Sequence, residues 1–260
     1  MSEVLITGAS GRIAHALRPA LVHACGSVRL FTRSAIAEPE PSDREEVFRG
    51  RLEDLDSLVE ACAGVSTIVH LGGISDEASF DRIVDANIVG TYNVFEAARR
   101  CGVRRIVYAS SHHVTGFYPS DVIVDGTAEP RPDTLYAVSK VFGETLGRLF
   151  HDKWGLEVVC LRIGACRAEP ENADQLRTWL SMPDCVRLVV ASVVSEIPAG
   201  YSIVYGASDN SRSFWDAEGS RHLGFLPQDS ADDYDGRFVD DQFSSDWQGG
   251  MYADPTYRGR

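Results

Sequence analysis

The sequence predicts an α/β fold: a doubly wound parallel sheet followed by a small C-terminal lobe. Short apolar runs alternate with longer segments of helical period along the first 164 of the 260 residues. A glycine-rich turn follows the first apolar run. Because strands separated by helices need crossover connections, which are almost always right-handed, this alternation indicates a parallel sheet with helices on both faces.

The predicted strands share short runs of apolar and β-branched residues. They cover 3–7, 28–31, 66–71, 105–110 and 156–164, with one more at 201–206. Segments of helical period cover 12–24, 52–64, 80–101 and 136–153, with a further helical stretch over 171–197. From residue 165 the alternation loosens into turn-rich, acidic sequence. We expect this part to form a lobe that caps the carboxyl edge of the sheet.

Composition excludes several classes of function. The hydrophobic content of 44% suffices for a full-sized core, and the formal net charge of −13 disfavours binding to nucleic acid or anionic lipid. The acidic run over 229–242 is predicted to be a solvated face. Six cysteines without a CxxC pair indicate a reducing compartment. With no signal peptide and no apolar run near the roughly 20 residues of a membrane span, we expect a cytoplasmic protein.

The segment "TGASGRIA" predicts a dinucleotide site after the first strand. Gly8 permits the tight turn, Gly11 lets the backbone approach a pyrophosphate, and Ala14 fits where helix meets strand. The helix N-terminus offers free N–H groups to the phosphates. The same glycines would also suit an ordinary strand-to-helix turn. Their place at the first turn of the alternation favours the dinucleotide.

The end of the second strand bears on which coenzyme is bound. A carboxylate at this position would bond a ribose 2′-hydroxyl and select NAD. Thr32 and Arg33 stand there instead. A cation and a hydroxyl suit a 2′-phosphate and favour NADP, although Arg33 would look the same if it were only a solvated arginine.

A tyrosine and a lysine point to proton-transfer chemistry. Tyr136 and Lys140 in "YAVSK" lie one helical turn apart and share a face. An ammonium nearby favours the phenolate form of a tyrosine. Ser111 ends the preceding strand, so both elements deliver polar groups to the carboxyl edge of the sheet, where ligands of such folds bind.

These residues carry a family resemblance. Gly8-x-x-Gly11-x-x-Ala14, Asn87, Ser111 and Tyr136-x-x-x-Lys140 resemble, in order and spacing, the extended short-chain dehydrogenase/reductase superfamily, which has a Rossmann fold and includes the NAD-dependent epimerases and dehydratases. Further segments are similar to the uronate dehydrogenases: "HLGGIS", "SSHHVTGFYP", "LYAVSKVFGE", "RIGAC", "YGASDN" and "WQGGMYADP". The resemblance implies oxidation of the C1 hydroxyl of D-galacturonate or D-glucuronate to an aldarolactone with NAD.

The resemblance also implies roles for single residues. Tyr136 would take the hydroxyl proton, Lys140 would hold the cofactor ribose and lower the tyrosine pKa, Ser111 would bond the reacting oxygen, and Asn87 would order the proton relay. Ser75, His112 and His113 would contact the sugar. Besides Tyr136 and Lys140, the implied cofactor-binding residues are Gly8, Ser10, Gly11, Arg12, Ile13, Thr32, Arg33, Leu52, Leu71, Gly72 and Gly73. Residues 1–164 would form the dinucleotide-binding domain and 165–260 a small substrate-binding lobe packed on it as one unit.

The chain departs from the pattern of uronate dehydrogenases in two regions. Thr32 and Arg51 replace acidic residues near the adenosine, which leaves NAD and NADP both open. Ala165 replaces a serine, and Asp174 replaces the arginine expected to bind the uronate carboxylate. Three residues later on a predicted helix, Arg177 could bind that carboxylate instead. Arg167 is the other candidate, and a neutral sugar substrate is the alternative.

Other interpretations of the site stay open. The chain could be an epimerase or dehydratase or act on another sugar or carbonyl compound, although 165–260 leaves little room for a nucleoside diphosphate. It could also bind the cofactor without catalysis, but an intact Ser111, Tyr136 and Lys140 argue against this. The adjacent histidines lack a third ligand at metal spacing, so we predict no metal. A homo-oligomer is expected, since two of the predicted helices (80–101 and 136–153) form a dimer interface in relatives.

Overall fold

The computed structural model describes residues 3–36, 40–197, 200–238 and 245–257. Its central sheet consists of seven parallel strands: β1 (Val4–Thr7), β2 (Val28–Thr32), β3 (Glu45–Arg49), β4 (Thr67–His70), β5 (Arg105–Ser111), β6 (Glu157–Ile163) and β9 (Tyr201–Gly206). Two short strands, β7 (Ala165–Cys166) and β8 (Trp179–Leu180), pair with each other in a separate sheet. The predicted fold class is confirmed.

The helices connect the strands as the alternation predicted. In chain order they are α1 (Arg12–Cys25), α2 (Leu55–Cys62), α3 (Phe80–Ile83), α4 (Gly90–Cys101), α5 (Leu135–Trp154), α6 (Gln175–Thr178), α7 (Met182–Val194) and α8 (Glu218–His222). A π-helical turn over Val84–Val89 joins α3 to α4. None of the helices in the described ranges combines the length and apolar composition that a membrane crossing requires.

The strand order indicates where a ligand can bind at the edge of the sheet. It runs β3-β2-β1-β4-β5-β6-β9, so the connections leave β1 first toward one edge and later toward the other. The reversal lies between β1 and β4, and the loops that follow these two strands diverge there. In open parallel sheets ligands bind in the crevice at this point, outside the carboxyl ends of the strands.

Both faces of the sheet are buried, as in other doubly wound folds. Successive side chains of a strand point to opposite faces, and β1 shows this directly. Val4 and Ile6 pack in the core cluster with helices α1 and α7, whereas Leu5 packs in the cluster with α2, α4 and α5. The sheet is therefore a rigid platform beneath its carboxyl edge.

The structure differs from the predicted elements in three places. Strand β3, with the polar sequence "EEVFR", was not predicted, and it pairs at the sheet edge with β2. The strand predicted in the lobe pairs with β6 and completes the main sheet as β9. The helical stretch predicted over 171–197 is interrupted by β8, after which Ser181 caps α7 through the backbone N–H of Asp184. The domain division at residue 164 stays a prediction.

The described part of the acidic run over 229–242 is largely solvent-accessible, and some of its carboxylates also contact the rest of the protein. Residues 239–242 lie outside the described residues. Within the described part, Asp229 accepts hydrogen bonds from Ser181 and Arg187, and Asp235 pairs with Arg212 at 3.1 Å. Both carboxylates are partly exposed, so these contacts are surface interactions.

Candidate active site

A cleft of about 990 Å³ opens at the carboxyl ends of the parallel strands. This volume lies at the upper end of the range for cofactor and ligand sites. Most of the predicted site residues line it: Gly8, Ser10, Gly11, Arg12, Ile13, Thr32, Arg33, Leu52, Leu71, Gly72, Gly73, Ser75, Ser111, His112, His113, Tyr136 and Lys140. Asn87 and Arg177 are not among the described residues that line it.

The glycine-rich turn has the geometry that a dinucleotide requires. Gly8 has a φ of 69°, a conformation that favours glycine, and a Cβ there would lie 2.8 Å from the backbone of Gly72. Gly11 is the N-cap residue of α1, with no side-chain cap and no acidic residue in the first turn. The first N–H groups of α1 are thus available to an anion. The turn fits the pyrophosphate of a dinucleotide.

At the end of β2 the hydroxyl of Thr32 is hydrogen-bonded within the protein. It donates to the carbonyl of Ser34 at 3.0 Å and accepts from the Ser34 N–H at 3.1 Å. Arg33 beside it is exposed on the cleft wall. Arg51, also on the wall, pairs with Glu53 at 3.1 Å. Among these residues, Arg33 therefore has the guanidinium best placed to meet a ribose or its phosphate.

Ser111, Tyr136 and Lys140 converge at the other end of the cleft. Ser111 is the last residue of β5, and Tyr136 forms a side-chain hydrogen bond with it. Lys140, one turn farther along α5, donates to the carbonyl of Ala109 at 2.8 Å, and its Nζ lies 5.5 Å from the centre of the Tyr136 ring. The structure therefore brings together the three residues, Ser111, Tyr136 and Lys140, that the sequence suggested for proton transfer.

Burial controls the ionisation of this pair. It raises the pKa of Tyr136 to about 12; Asp76 and Asp133 add to this increase, and the hydrogen bond with Ser111 opposes it. Burial also lowers the pKa of Lys140 to about 8. The protein alone thus keeps the phenol protonated at neutral pH, because burial outweighs the nearby ammonium. A positive charge brought into the cleft would favour the phenolate.

Asn87 is fixed away from the cleft by three hydrogen bonds. Its Oδ1 accepts from the Ile74 N–H at 2.7 Å, and its Nδ2 donates to the Ile74 carbonyl at 3.0 Å and to the Ser139 hydroxyl at 2.9 Å. Ser139 in turn donates to the carbonyl of Tyr136 at 2.6 Å. Asn87 therefore ties the loop after β4 to the first turn of α5.

The two histidines occupy different environments. His112 is buried, and its Nδ1 donates to the carbonyl of Ile163 at 3.0 Å. Burial lowers its pKa well below the usual value, so it is neutral and its Nε2 is an acceptor. The Nδ1 of His113 lies 2.7 Å from a carboxylate oxygen of Asp133, whose side chain is fully buried. Asp133 was not predicted.

Three further residues near Tyr136 were not predicted from the sequence. Glu77 accepts a hydrogen bond from the backbone N–H of Tyr136 at 2.9 Å and so caps α5. Asp76 accepts from the hydroxyl of Tyr252 at 2.9 Å. The Tyr252 ring lies edge-on to His113, with 4.8 Å between ring centres. The loop after β4 is thus tied to α5 and to the C-terminal segment.

The predicted carboxylate-binding arginines have other positions. Arg177 lies on the single turn α6, outside the set of cleft-lining residues, close enough to Asp174 to favour its ionised form. Arg167 lines the cleft but pairs with Glu171 at 3.1 Å. Asp174 itself lines the cleft, and burial raises its pKa. Within the described ranges, no group of three or more histidines, cysteines or carboxylates could hold a metal.

Comparison with known proteins agrees with this geometry. Residues 4–170 match the NAD dependent epimerase/dehydratase family. Uronate dehydrogenase from Pseudomonas putida is 40% identical over 90% of this chain and 86% of its own length. NAD-dependent glucose-6-phosphate dehydrogenase from Haloferax volcanii is 35% identical over 89% and 95%. A solved structure of a uronate dehydrogenase mutant from Agrobacterium tumefaciens, complexed with NAD, superposes with a TM-score of 0.90 at 38% identity, covering 98% and 97% of the two chains. This chain belongs to the NAD dependent epimerase/dehydratase family.

Proposed function

We propose that this protein oxidises the C1 hydroxyl of a hexuronic acid of the galacturonate or glucuronate type to an aldarolactone, with NAD as hydride acceptor. The observation that carries the proposal is the convergence of Ser111, Tyr136 and Lys140 at one end of a dinucleotide-sized cleft. Near full-length similarity to uronate dehydrogenases supports the substrate class. When bound, the nicotinamide supplies the acceptor for the hydride that leaves C1.

The chain's own residues bind and orient the reactants. The turn at Gly8 and Gly11 holds the pyrophosphate against the N-terminus of α1. Ser111 donates to the reacting oxygen, and Tyr136 takes its proton as general base. Lys140 contributes positive charge near the phenol and contacts the ribose. Asn87 and Glu77 fix the loop and helix that position Tyr136.

An absorbance assay tests the proposal. NAD and NADP reduction at 340 nm is followed with a panel of hexuronic acids, neutral aldoses and simple alcohols. We expect the highest kcat/KM with a hexuronic acid and NAD. Turnover of neutral aldoses alone would favour the second candidate, a short-chain dehydrogenase for an uncharged sugar, which the carboxylate of Asp174 on the cleft wall supports. No turnover with any substrate would favour a non-catalytic cofactor-binding protein.

The coenzyme preference depends on the end of β2. We expect Arg33 to make NADP usable beside NAD, and Thr32→Asp to lower kcat/KM with NADP by roughly tenfold or more, because an unpaired carboxylate would face the 2′-phosphate. Thr32→Val, which removes the hydroxyl without adding charge, is the control. A wild-type protein that strongly prefers NAD would refute the role of Arg33 in recognising a 2′-phosphate.

We expect the buried ammonium of Lys140 to lower the free energy of unfolding. Its pKa falls from 10.5 to about 8 on folding, so the unfolded chain binds a proton in a pH range where the folded chain does not. The free energy of unfolding therefore decreases as the pH falls from 10.5 to 8, and the penalty is complete at pH 7. We expect Lys140→Met to raise this free energy at pH 7 by about 1–3 kcal/mol and to lower turnover by about 10²-fold or more.

Denaturant unfolding at pH 7 and pH 10 checks the Lys140 prediction. The stability gained by Lys140→Met should be smaller at pH 10, where less of the unfolded chain's lysine is protonated. The prediction would be contradicted if Lys140→Met were less stable than the wild type at pH 7. It would also be contradicted if the gain in the free energy of unfolding did not change with pH.

We further expect a cytoplasmic homo-oligomer. Helices α4 and α5 expose apolar side chains, among them Tyr92, Val138 and Leu149. Exposed apolar residues on neighbouring helices support association, and closed dimers are the commonest assembly of soluble proteins. Sedimentation equilibrium would measure the number of subunits.

A further inference from the structure

We infer that His113, backed by the buried carboxylate of Asp133, is the residue that receives the carboxylate of the substrate. The inference rests on the proposed function and names the group that recognises the acid. It replaces the expectation that Arg177 has this task. In the bound state, the His113 ring would lie between two carboxylates, one from the protein and one from the sugar.

The charges at this end of the cleft leave His113 as a candidate. Asp76 and Asp174 line the wall there, and both repel an anion. His112, although adjacent, is kept neutral because burial lowers its pKa. Lys140 bonds the Ala109 carbonyl beneath the reacting pair, and its charge is assigned above to the phenol and the ribose. Arg167 also lines the cleft, paired with Glu171 at 3.1 Å, and is the other candidate. His113 differs from it in lying beside Tyr136 with a buried carboxylate behind its ring.

The side chain of Asp133 is fully buried beside His113. Thr134 donates to Oδ1 of Asp133 at 3.1 Å, while Oδ2 faces the His113 ring. A Cβ at Gly116 or Gly249 would lie 2.0 or 2.1 Å from Oδ2, so two glycines make the space it occupies. A buried carboxylate is strongly unfavourable unless it is paired. The His113 ring is its hydrogen-bond partner, with 2.7 Å between Nδ1 and Oδ2.

The hydrogen bond to Asp133 also orients the ring. Because Nδ1 donates to the carboxylate, the opposite edge with Nε2 is left for the cleft. Tyr252 lies edge-on to this ring at 4.8 Å, the His112 ring is tilted against it at 4.1 Å, and Tyr136 lies 6.4 Å away, all between ring centres. The ring is thus fixed beside the reacting tyrosine, where a sugar would extend from C1.

Two variants separate charge from shape. Asp133→Asn keeps an acceptor for Nδ1 but removes the counter-charge, and His113→Gln keeps a polar side chain that cannot become a cation. His112→Gln, which changes a neighbouring neutral histidine, is the matched control. For each protein, the Kd of galacturonate and of galactose is measured by calorimetry on the NADH complex, in which neither sugar is oxidised. Thermal unfolding verifies that each variant is folded.

We expect Asp133→Asn and His113→Gln to weaken galacturonate binding by roughly tenfold or more, the difference between a charged and a neutral hydrogen bond, and to change galactose binding little. His112→Gln should affect both sugars alike. Equal losses on both sugars in the Asp133 and His113 variants would overturn the inference even if the wild type oxidises uronates. A wild type that does not oxidise uronates would instead refute the proposed function.

Discussion

Tyr136→Phe is expected to lower kcat by roughly 10²- to 10⁴-fold, because it removes the group that takes the proton from the C1 hydroxyl. The ring remains and can still pack between Lys140 and His113. Cofactor affinity should therefore be unchanged. Because burial raises the pKa of Tyr136 to about 12 in the protein alone, we also expect wild-type turnover to rise with pH through the neutral range.

A second buried tyrosine provides the control for this prediction. The Nζ of Lys140 lies 5.2 Å from the ring centre of Tyr108, nearly the same distance as from Tyr136, but Tyr108 does not line the cleft. Tyr108→Phe makes the same chemical change beside the same ammonium. If Tyr136 is the general base, Tyr108→Phe should leave kcat within a few-fold of the wild type. If both variants kept wild-type turnover, Tyr136 would not be the base.

The main elements of the fold could be predicted because burial on both faces leaves a strong pattern in the sequence. Strands β1, β4 and β5 each contain a run of apolar residues and are almost entirely buried, so their positions were evident. The edge strand β3 has no fully buried residue and a charged sequence, so neither apolar length nor alternation reveals it. Its pairing with β2 depends on tertiary contact.

The reacting residues were predictable from local spacing, whereas the residues that support them were not. Tyr136 and Lys140 are one turn apart on a helix that does form, so the expected shared face exists. Arg177 was placed by the same rule on a helix predicted over 171–197, but α6 ends after one turn and the expected phase is lost. Asp133 is 20 residues from His113, and only the fold brings them together.

Behind Ser111 lies a buried ion pair whose disruption we expect to destabilise the protein strongly. Arg162 on β6 and Glu144 on α5 are 2.9 Å apart, with 1% and 4% of their side chains exposed. Ser110 donates to Glu144 at 2.6 Å, and Arg162 donates to the Tyr205 hydroxyl at 3.2 Å. The network joins β5, β6, β9 and α5 beneath the reacting residues. Glu144 and Arg162 are each other's charged partner in this network.

Arg162→Met is therefore expected to lower the free energy of unfolding by about 3–5 kcal/mol, because it leaves the carboxylate of Glu144 buried without its cation. The midpoint of thermal unfolding should fall by on the order of 10 °C for a chain of this size. The double variant Glu144→Leu/Arg162→Met should regain more than half of this loss, since no charge is then left unpaired. Denaturant unfolding of the wild type, both single variants and the double variant measures the coupling. A single variant that loses less than about 1 kcal/mol, or a double variant as unstable as the singles, would show that packing rather than the unpaired charge sets the stability at this position.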